Sequence, residues 1–200
     1  KTQMITQLPN LGTQTNTIFM MVAHVGMKIE MDPYAPKAPT LTHSRSGTHK
    51  KGVPEKFGFV NGMLMEIYDA KVLYNPGDKT ARYPKTDSDK VKESSDLNVV
   101  HVKLTRNKTG PSGVRLSLVV SQAEGLLSDL TNFHFLKEEK WGFSGNDQNY
   151  VFDLCPDIKL SRTTVREKLD SHPELRRALE IGAQMRMMEI YYRGLDMDVH

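Results

Sequence analysis

A polar stretch of the chain, about residues 26–56, combines cations with apolar side chains. Between His24 and Phe57 the lysines and arginines outnumber the carboxylates by three, an excess equal to the net charge of the whole chain. A site for single-stranded nucleic acid needs cations for the phosphates and apolar or planar groups that interrupt base stacking. The candidate contacts of this kind are Met27, Lys28, Ile29, Tyr34, Arg45, Lys50 and Lys51. A solvated loop without a ligand is the alternative interpretation of the same composition.

Three more polar side chains stand where predicted strands end. Arg106 and Lys108 are two residues apart, so on an extended strand they face the same side. Paired cations at a subunit edge can neutralise charge that develops on a transferred phosphoryl group. His24 lies between an apolar run and the basic stretch, which suits a switch that couples a bound ligand to the loop. The alternatives are surface cations at a turn and a structural histidine that caps a strand.

The elements around the basic stretch follow from apolar patterning and from proline. A helix is predicted over Thr2–Leu11, with Gly12 as its stop. Thr17–His24 is almost entirely apolar, as a central strand covered on both faces should be. Gly26–Lys56 contains four prolines, which break both helix and sheet. An irregular segment of this length inside a domain is usually functional or disordered.

A meander of strands is predicted to follow, and then a second domain. A short helix over Phe57–Met65 precedes an edge hairpin that is added to the central strand, with strands at Ile67–Tyr74, Val99–Thr105 and Val114–Val120. From about Gln122 the pattern becomes mainly helical, so residues 123–200 are expected to form a small α+β domain. Its predicted elements are a helix over Gly125–Leu136, short strands near Trp141 and over Tyr150–Cys155, and helices over Arg162–Leu169 and from Pro173 to about Arg193.

The bulk composition describes an ordinary globular protein. Hydrophobic residues make up 38% and charged residues 26%, and no apolar run approaches the ~18 residues of a membrane span. The single cysteine, Cys155, excludes an internal disulfide framework and fits a reducing compartment. The net charge of +3 is too small to indicate nucleic-acid binding by itself. The chain opens at Lys1 without an initiator methionine, which is expected of a fragment or a trimmed product.

The order of several motifs resembles the C-terminal half of RecA/UvsX-type recombinases. Thr15–Ile29 is similar to the stretch in which a core strand ends in a polar sensor residue and enters the second DNA-binding loop. His24 stands at the sensor position, where phage UvsX-type members carry histidine. Arg106-Asn107-Lys108 resembles the family's Lys-Asn-Lys, which reaches across the subunit interface to the nucleotide. Three further segments resemble the family's C-terminal domain and follow its order: Gly125–Leu130, Trp141-Gly142 and Val165–Ala178.

This resemblance implies an α/β fold with the later part of a RecA-like core and its mixed sheet at residues 1–122, followed by the small domain at 123–200. The implied function is homologous recombination and repair, through an ATP-regulated filament on single-stranded DNA that promotes strand exchange. His24 would sense the nucleotide, and Arg106 with Lys108 would act in trans on ATP and Mg²⁺. Cations of the last helices would gather double-stranded DNA, unless they form a solvated face: Arg162, Arg166, Lys168, Arg176 and Arg177. The implied location is the cytoplasm, that of the host if the protein is viral, with no membrane partner.

The sequence also departs from the family in one decisive motif. No Gly-x-x-x-x-Gly-Lys-[Ser/Thr] occurs; Gly77-Asp78-Lys79-Thr80 comes closest, but Asp78 separates the glycine from the lysine. ATP hydrolysis is therefore expected only if a phosphate-binding loop is supplied upstream, by an N-terminal half, or by a companion chain. The remaining alternatives are a fragment of a RecA-fold helicase and a non-catalytic scaffold that keeps the fold without the chemistry.

Overall fold

The computed structural model describes residues 2–27, 44, 48–54, 57–86, 89, 91–93, 95–146 and 148–192. The chain divides into two compact units, of which the first comprises Lys1–Glu66 and Lys103–Arg115 and the second Ile67–Val102 and Leu116–His200. Over the described residues there are five helices and nine strands, so the structure mixes α and β elements and is compatible with an α/β fold. The division at residue 122 was drawn from a change in sequence character, and it stays a prediction.

The first unit opens with helix α1, Thr2–Thr15. It runs past the predicted stop at Gly12 and ends at Asn16, whose φ of 52° is left-handed. The amide of Thr17 then donates to the carbonyl oxygen of Gly12 at 2.9 Å. This bond, together with the left-handed residue before it, is the Schellman arrangement that satisfies a helix C-terminus. The prediction erred because asparagine also tolerates the left-handed conformation.

The prediction of a buried strand over Thr17–His24 is wrong. The structure places no strand there, and the side chains of Ile18, Met20 and Val22 are 94%, 85% and 89% exposed. A strand needs a neighbour to accept its backbone hydrogen bonds, and the described part of the chain puts no strand beside this segment. The apolar composition was identified correctly, but the element that would cover it is not among the described residues.

Short elements follow in the first unit. Strands β1 (Val25–Met27) and β2 (Thr48–Lys50) form a two-stranded antiparallel ladder. Helix α2 covers only Phe57–Val60, so the predicted helix to Met65 is too long. Asn61-Gly62 interrupts it, and a strand begins at Met63 instead. Glycine after a helix is a common stop, which explains the early end.

The predicted meander is present, and its first two strands are longer than expected. Strands β3 (Met63–Val72), β4 (Leu97–Asn107), β5 (Arg115–Ser121) and β6 (Gly125–Leu126) form a sheet in that order. The amide of Leu73 meets the carbonyl of Leu97, while Thr105 bonds to Leu64, so β3 and β4 run antiparallel. Consecutive strands joined by turns form such ladders naturally. The expected mixed sheet, with 17–24 as its central member, is not found among the described strands.

The second unit contains the main hydrophobic core. Helices α3 (Ser128–Glu138), α4 (Val165–Ser171) and α5 (Pro173–Tyr191) accompany a three-stranded antiparallel sheet of β7 (Phe143–Asn146), β8 (Asn149–Phe152) and β9 (Cys155–Leu160). The predicted helix over Gly125–Leu136 starts late, because its first residues form β6. The core is built from large side chains with at most 1% exposure, including Tyr83, Phe133, Leu136, Phe152, Leu175 and Leu179.

Candidate nucleic-acid interface

The ladder of β1 and β2 joins the two ends of the basic stretch. Val25 pairs with Lys50, Gly26 with His49, and Met27 with Thr48. One residue beyond this ladder, the amide of Lys51 donates to the carbonyl oxygen of His24 at 2.8 Å. The residue predicted as a nucleotide sensor therefore lies beside two of the lysines predicted to bind phosphate, although more than twenty residues separate them in sequence.

Gly26 makes room for two side chains at this ladder. A Cβ placed on Gly26 would stand 2.8 Å from Cε of Lys51 and 3.0 Å from Cε1 of His49. Carbon atoms in contact are normally about 3.5–4.0 Å apart, so only glycine leaves this space open. The end of the Lys51 side chain and the ring of His49 thus both lie against Gly26 of β1.

His49 is a candidate that sequence reasoning missed. Its Nδ1 is buried and finds no hydrogen-bond partner among the described residues. Buried polar atoms are nearly always paired, so this atom needs a partner that the described residues do not supply. The signal was present in the sequence, since His49 and Lys51 are two residues apart and share a face on a strand.

The other predicted DNA contacts fall into two groups. Met27 is 81% exposed, Lys50 is half-buried and Lys51 is exposed, so all three can be reached from solvent. Four lie outside the described residues: Lys28, Ile29, Tyr34 and Arg45. The described part of the candidate interface is therefore short. It consists of Thr48–Lys51, called the basic edge below, and it lies opposite the apolar residues of β1.

Arg106 and Lys108 both reach the segment around α2. The guanidinium carbon of Arg106 lies 6.0 Å from the ring centroid of Phe59, and its Nε is buried without a hydrogen-bond partner among the described residues. The ammonium of Lys108 donates to the carbonyl of Val60 at 3.0 Å, and its amide donates to Gly62 at 2.9 Å. The two cations thus share a neighbourhood, although Lys108 lies one residue beyond β4, which ends at Asn107. The ammonium of Lys108 is already hydrogen-bonded within its own chain, whereas Nε of Arg106 has no partner among the described residues.

Three of the five expected duplex-binding cations, all in the second unit, lie beside carboxylates. Arg166 is only 6% exposed, and its guanidinium lies 3.0 Å from Glu124 and 3.8 Å from Asp96. A buried cation must be paired, so Arg166 is a structural group and its assignment to duplex DNA is wrong. Arg177 contacts Glu180 at 2.7 Å, and Arg176 is 4.0 Å from Asp129.

A cleft of about 160 Å³ adjoins Arg166 in the second unit. Its charged lining consists of two cations and three carboxylates: Lys85, Arg166, Glu124, Asp129 and Asp170. The Lys85 ammonium donates to Glu124 at 3.0 Å and holds the pKa of that carboxyl below its ordinary value, an effect to which Arg166 adds. Because its cations are already paired, the cleft offers no free positive charge for a phosphate.

Other kinds of site find little support in the described residues. Within them, no three side chains of histidine, cysteine, aspartate or glutamate are grouped so that they could hold a metal ion. Nor is any helix of those residues both long and apolar enough to cross a membrane. Compared with protein-family models and with curated proteins, the chain matches none.

Proposed function

We propose that this chain is the DNA-binding part of a RecA/UvsX-type recombinase, which holds single-stranded DNA in an ATP-regulated filament. One observation carries the proposal: the hydrogen bond between Lys51 and His24 joins the predicted sensor to the basic edge of the loop. The bond joins backbone atoms, so a backbone shift at His24 would reach Lys51 directly and Lys50 through the ladder of β1 and β2. Coupling of this kind is what an ATP-regulated DNA filament needs.

The RecA-like core and the contacts to ATP and Mg²⁺ belong to the same proposal. The role of Arg106 in trans is part of this proposal, and its guanidinium would have to leave the ring of Phe59, whose centroid lies 6.0 Å away, to reach a neighbouring subunit. Hydrolysis would still require a phosphate-binding loop that this sequence does not contain.

A non-catalytic scaffold is the second candidate, and Lys108 favours it. Its ammonium donates to the carbonyl of Val60, so it stabilises the turn after α2 without any nucleotide. A scaffold would use both cations in this structural manner and would have no salt-dependent affinity for DNA. The two functions therefore differ in a quantity that can be measured on the chain alone.

The test is the salt dependence of binding to a fluorescent oligothymidylate, followed by anisotropy with the full chain. Binding through phosphates makes log affinity fall linearly with log salt, by about 0.7 per phosphate neutralised on single strands. We expect Lys50→Gln with Lys51→Gln to flatten the slope by about 1.4 and to weaken binding to all sequences alike. A slope near zero for the unchanged chain contradicts the recombinase and supports the scaffold.

Two matched variants control for general charge and for base contacts. Lys140→Gln with Lys159→Gln removes the same charge from two exposed positions in the second unit and should leave the slope unchanged. Met27→Ala removes an exposed apolar side chain from β1. It should lower affinity with almost no change of slope, because wedging between bases releases few ions. If the control pair flattens the slope as much as Lys50 and Lys51 do, the basic edge is not the site.

A further inference from the structure

Asn61 is followed by Gly62, and this is the only place in the sequence where glycine follows asparagine. The pair lies between helix α2 and strand β3. In such a pair the backbone nitrogen of the glycine can attack the side-chain amide of the asparagine, because glycine lets the chain bend back on itself. Asparagine is for this reason a chemically labile residue. Backbone amides in folded proteins are mostly held in hydrogen bonds, which suppress the attack, so the reaction depends on how the fold treats Gly62.

The backbone amide of Gly62 is left without such a bond. Within the described part of the chain no backbone carbonyl accepts from it, whereas the amide just before it, that of Asn61, donates to Phe57 at 3.2 Å. Gly62 is exposed, and a Cβ placed on it would meet nothing within 4 Å, so both water and backbone rotation have access. The side-chain oxygen Oδ1 of Asn61 also has no hydrogen-bond partner in the described residues. Hydrogen bonds thus restrain neither the attacking nitrogen nor the carbonyl that it attacks.

Lys108 binds the chain on both sides of Asn61. Its ammonium donates to the carbonyl oxygen of Val60 at 3.0 Å, and its backbone amide donates to the carbonyl oxygen of Gly62 at 2.9 Å. A positive charge therefore lies beside the residue whose side chain is attacked. The attack creates negative charge, first on the glycine nitrogen that loses its proton and then on the oxygen of the tetrahedral intermediate. A nearby cation stabilises charge of this sign.

We propose that Asn61 is a modification site, at which spontaneous deamidation converts the side-chain amide to a carboxylate with water as the only co-reactant. The nitrogen of Gly62 first forms a bond to Cγ of Asn61, and ammonia leaves with the proton of the Gly62 amide. Water then opens the cyclic imide. Attack at Cγ gives aspartate, and attack at the backbone carbonyl carbon gives isoaspartate. Each route exchanges an amino group for a hydroxyl group, which ionises well below neutral pH, and nothing is oxidised or reduced.

The product changes the surroundings of the two cations near α2. The new carboxylate follows directly after Val60, whose carbonyl oxygen accepts from the Lys108 ammonium, so it can form an ion pair with this lysine. Isoaspartate in addition lengthens the main chain by one methylene between α2 and β3. The charge around Arg106 and Lys108 therefore falls by one. The chemical step is independent of the proposed function, and only its effect on a nucleotide contact by these cations rests on that function.

The experiment follows the purified full chain in mildly alkaline buffer by mass spectrometry of its tryptic peptides. The peptide Phe57–Lys71 contains Asn61 as its only asparagine. We expect it to convert with time into two products of the deamidated mass, aspartyl and isoaspartyl, of which the Asn61→Asp variant identifies the first by its elution. The rate should rise with pH, because hydroxide removes the proton of the Gly62 amide. Asn98 is the internal control and should stay intact, since it lies within β4 and no glycine follows it.

Gly62→Ala and the chain unfolded in urea decide the outcome. Alanine lacks part of the conformational freedom of glycine, so the variant should deamidate about two- to fivefold more slowly at Asn61. It should keep the circular dichroism spectrum, because the position of the new Cβ is open. An equal rate in Gly62→Ala would overturn the proposal, since ring closure at Gly62 would not be the route. An Asn61 that reacts in urea but stays intact in the folded chain would also overturn it, because the fold would then protect the site.

Discussion

Substitution of Gly26 by alanine tests the basic edge at a residue that carries no charge. The new Cβ would stand 2.8 Å from Cε of Lys51 and 3.0 Å from Cε1 of His49. Both atoms belong to side chains, so the side chains should give way while the ladder of β1 and β2 remains. Lys51 must then retreat by about 1 Å to restore a normal carbon contact. The substitution therefore displaces a cation without removing it.

The expected loss corresponds to one phosphate contact. One contact contributes about 0.7 to the slope of log affinity against log salt, which at about 0.1 M salt amounts to roughly fivefold in affinity. We therefore predict a slope lower by about 0.7 and a fivefold weaker complex with an oligothymidylate. Stability should change by less than about 1 kcal/mol, because alanine is the better strand residue and the clash falls on movable side chains.

Two comparisons make this prediction refutable. Gly62→Ala lies in the same unit, where a Cβ meets nothing within 4 Å, and it should leave slope and affinity unchanged. Lys51→Ala should reproduce the loss, and the double variant should lose no more than either single one, because both act on the same contact. Fluorescence anisotropy between about 50 and 200 mM salt spans the range in which such slopes are measured. If Gly26→Ala binds like Gly62→Ala, Lys51 does not contact phosphate.

Two predictions concern the stability of the second unit. Gly182→Ala places a Cβ 2.8 Å from Cζ of the fully buried Phe152, so overpacking of about 1–3 kcal/mol should exceed the helix-propensity gain of about 1 kcal/mol. Urea unfolding should give a lower midpoint for the variant. A higher midpoint would contradict the prediction and would mean that the neighbouring side chains move to accommodate the new methyl group. The hydrogen bond from His134 holds the pKa of the Glu138 carboxyl below its ordinary value. The ionised carboxylate therefore contributes its full stabilisation at pH values above the ordinary pKa, and this stabilisation is lost as the pH falls through the lowered pKa. In the Glu138→Gln variant, the free energy of unfolding should therefore fall less steeply below about pH 4.3. The difference should be less than about 1 kcal/mol, because the carboxylate is 46% exposed. The same decrease at acid pH in both proteins would contradict this prediction.

Local patterns predicted the elements that depend on neighbours in sequence. The turn between β4 and β5 contains Gly110, Pro111 and Gly113, and Gly113 has a φ of 88°. Helix α5 begins at Pro173, as the first-turn preference of proline indicates. Turn chemistry and helix starts are set by a few adjacent residues, which is why the sequence sufficed for them.

Features that depend on distant partners could not be predicted in the same way. The segment Thr17–His24 has the composition of a buried strand, but a strand exists only beside another strand, and composition does not reveal whether one is near. Strands β1 and β2 lie at opposite ends of the basic stretch, so no local sequence pattern indicates which of their residues pair. Arg166 stood in a charged helix that suggested an exposed face, whereas its burial depends on Asp96 and Glu124, far away in sequence.

The ladder also separates two chemistries that the sequence places in one continuous stretch. Its first strand continues an uncharged chain that begins at Thr2, and its second strand carries Lys50. Salt weakens phosphate binding through counterions, but it does not weaken contact between apolar surfaces, which sulfate or phosphate ions strengthen. Salt should thus weaken binding that depends on Lys50 and Lys51, and it should leave the contribution of Met27 nearly unchanged. If Met27→Ala changed the salt slope as much as Lys50→Gln with Lys51→Gln, this division between β1 and β2 would have to be abandoned.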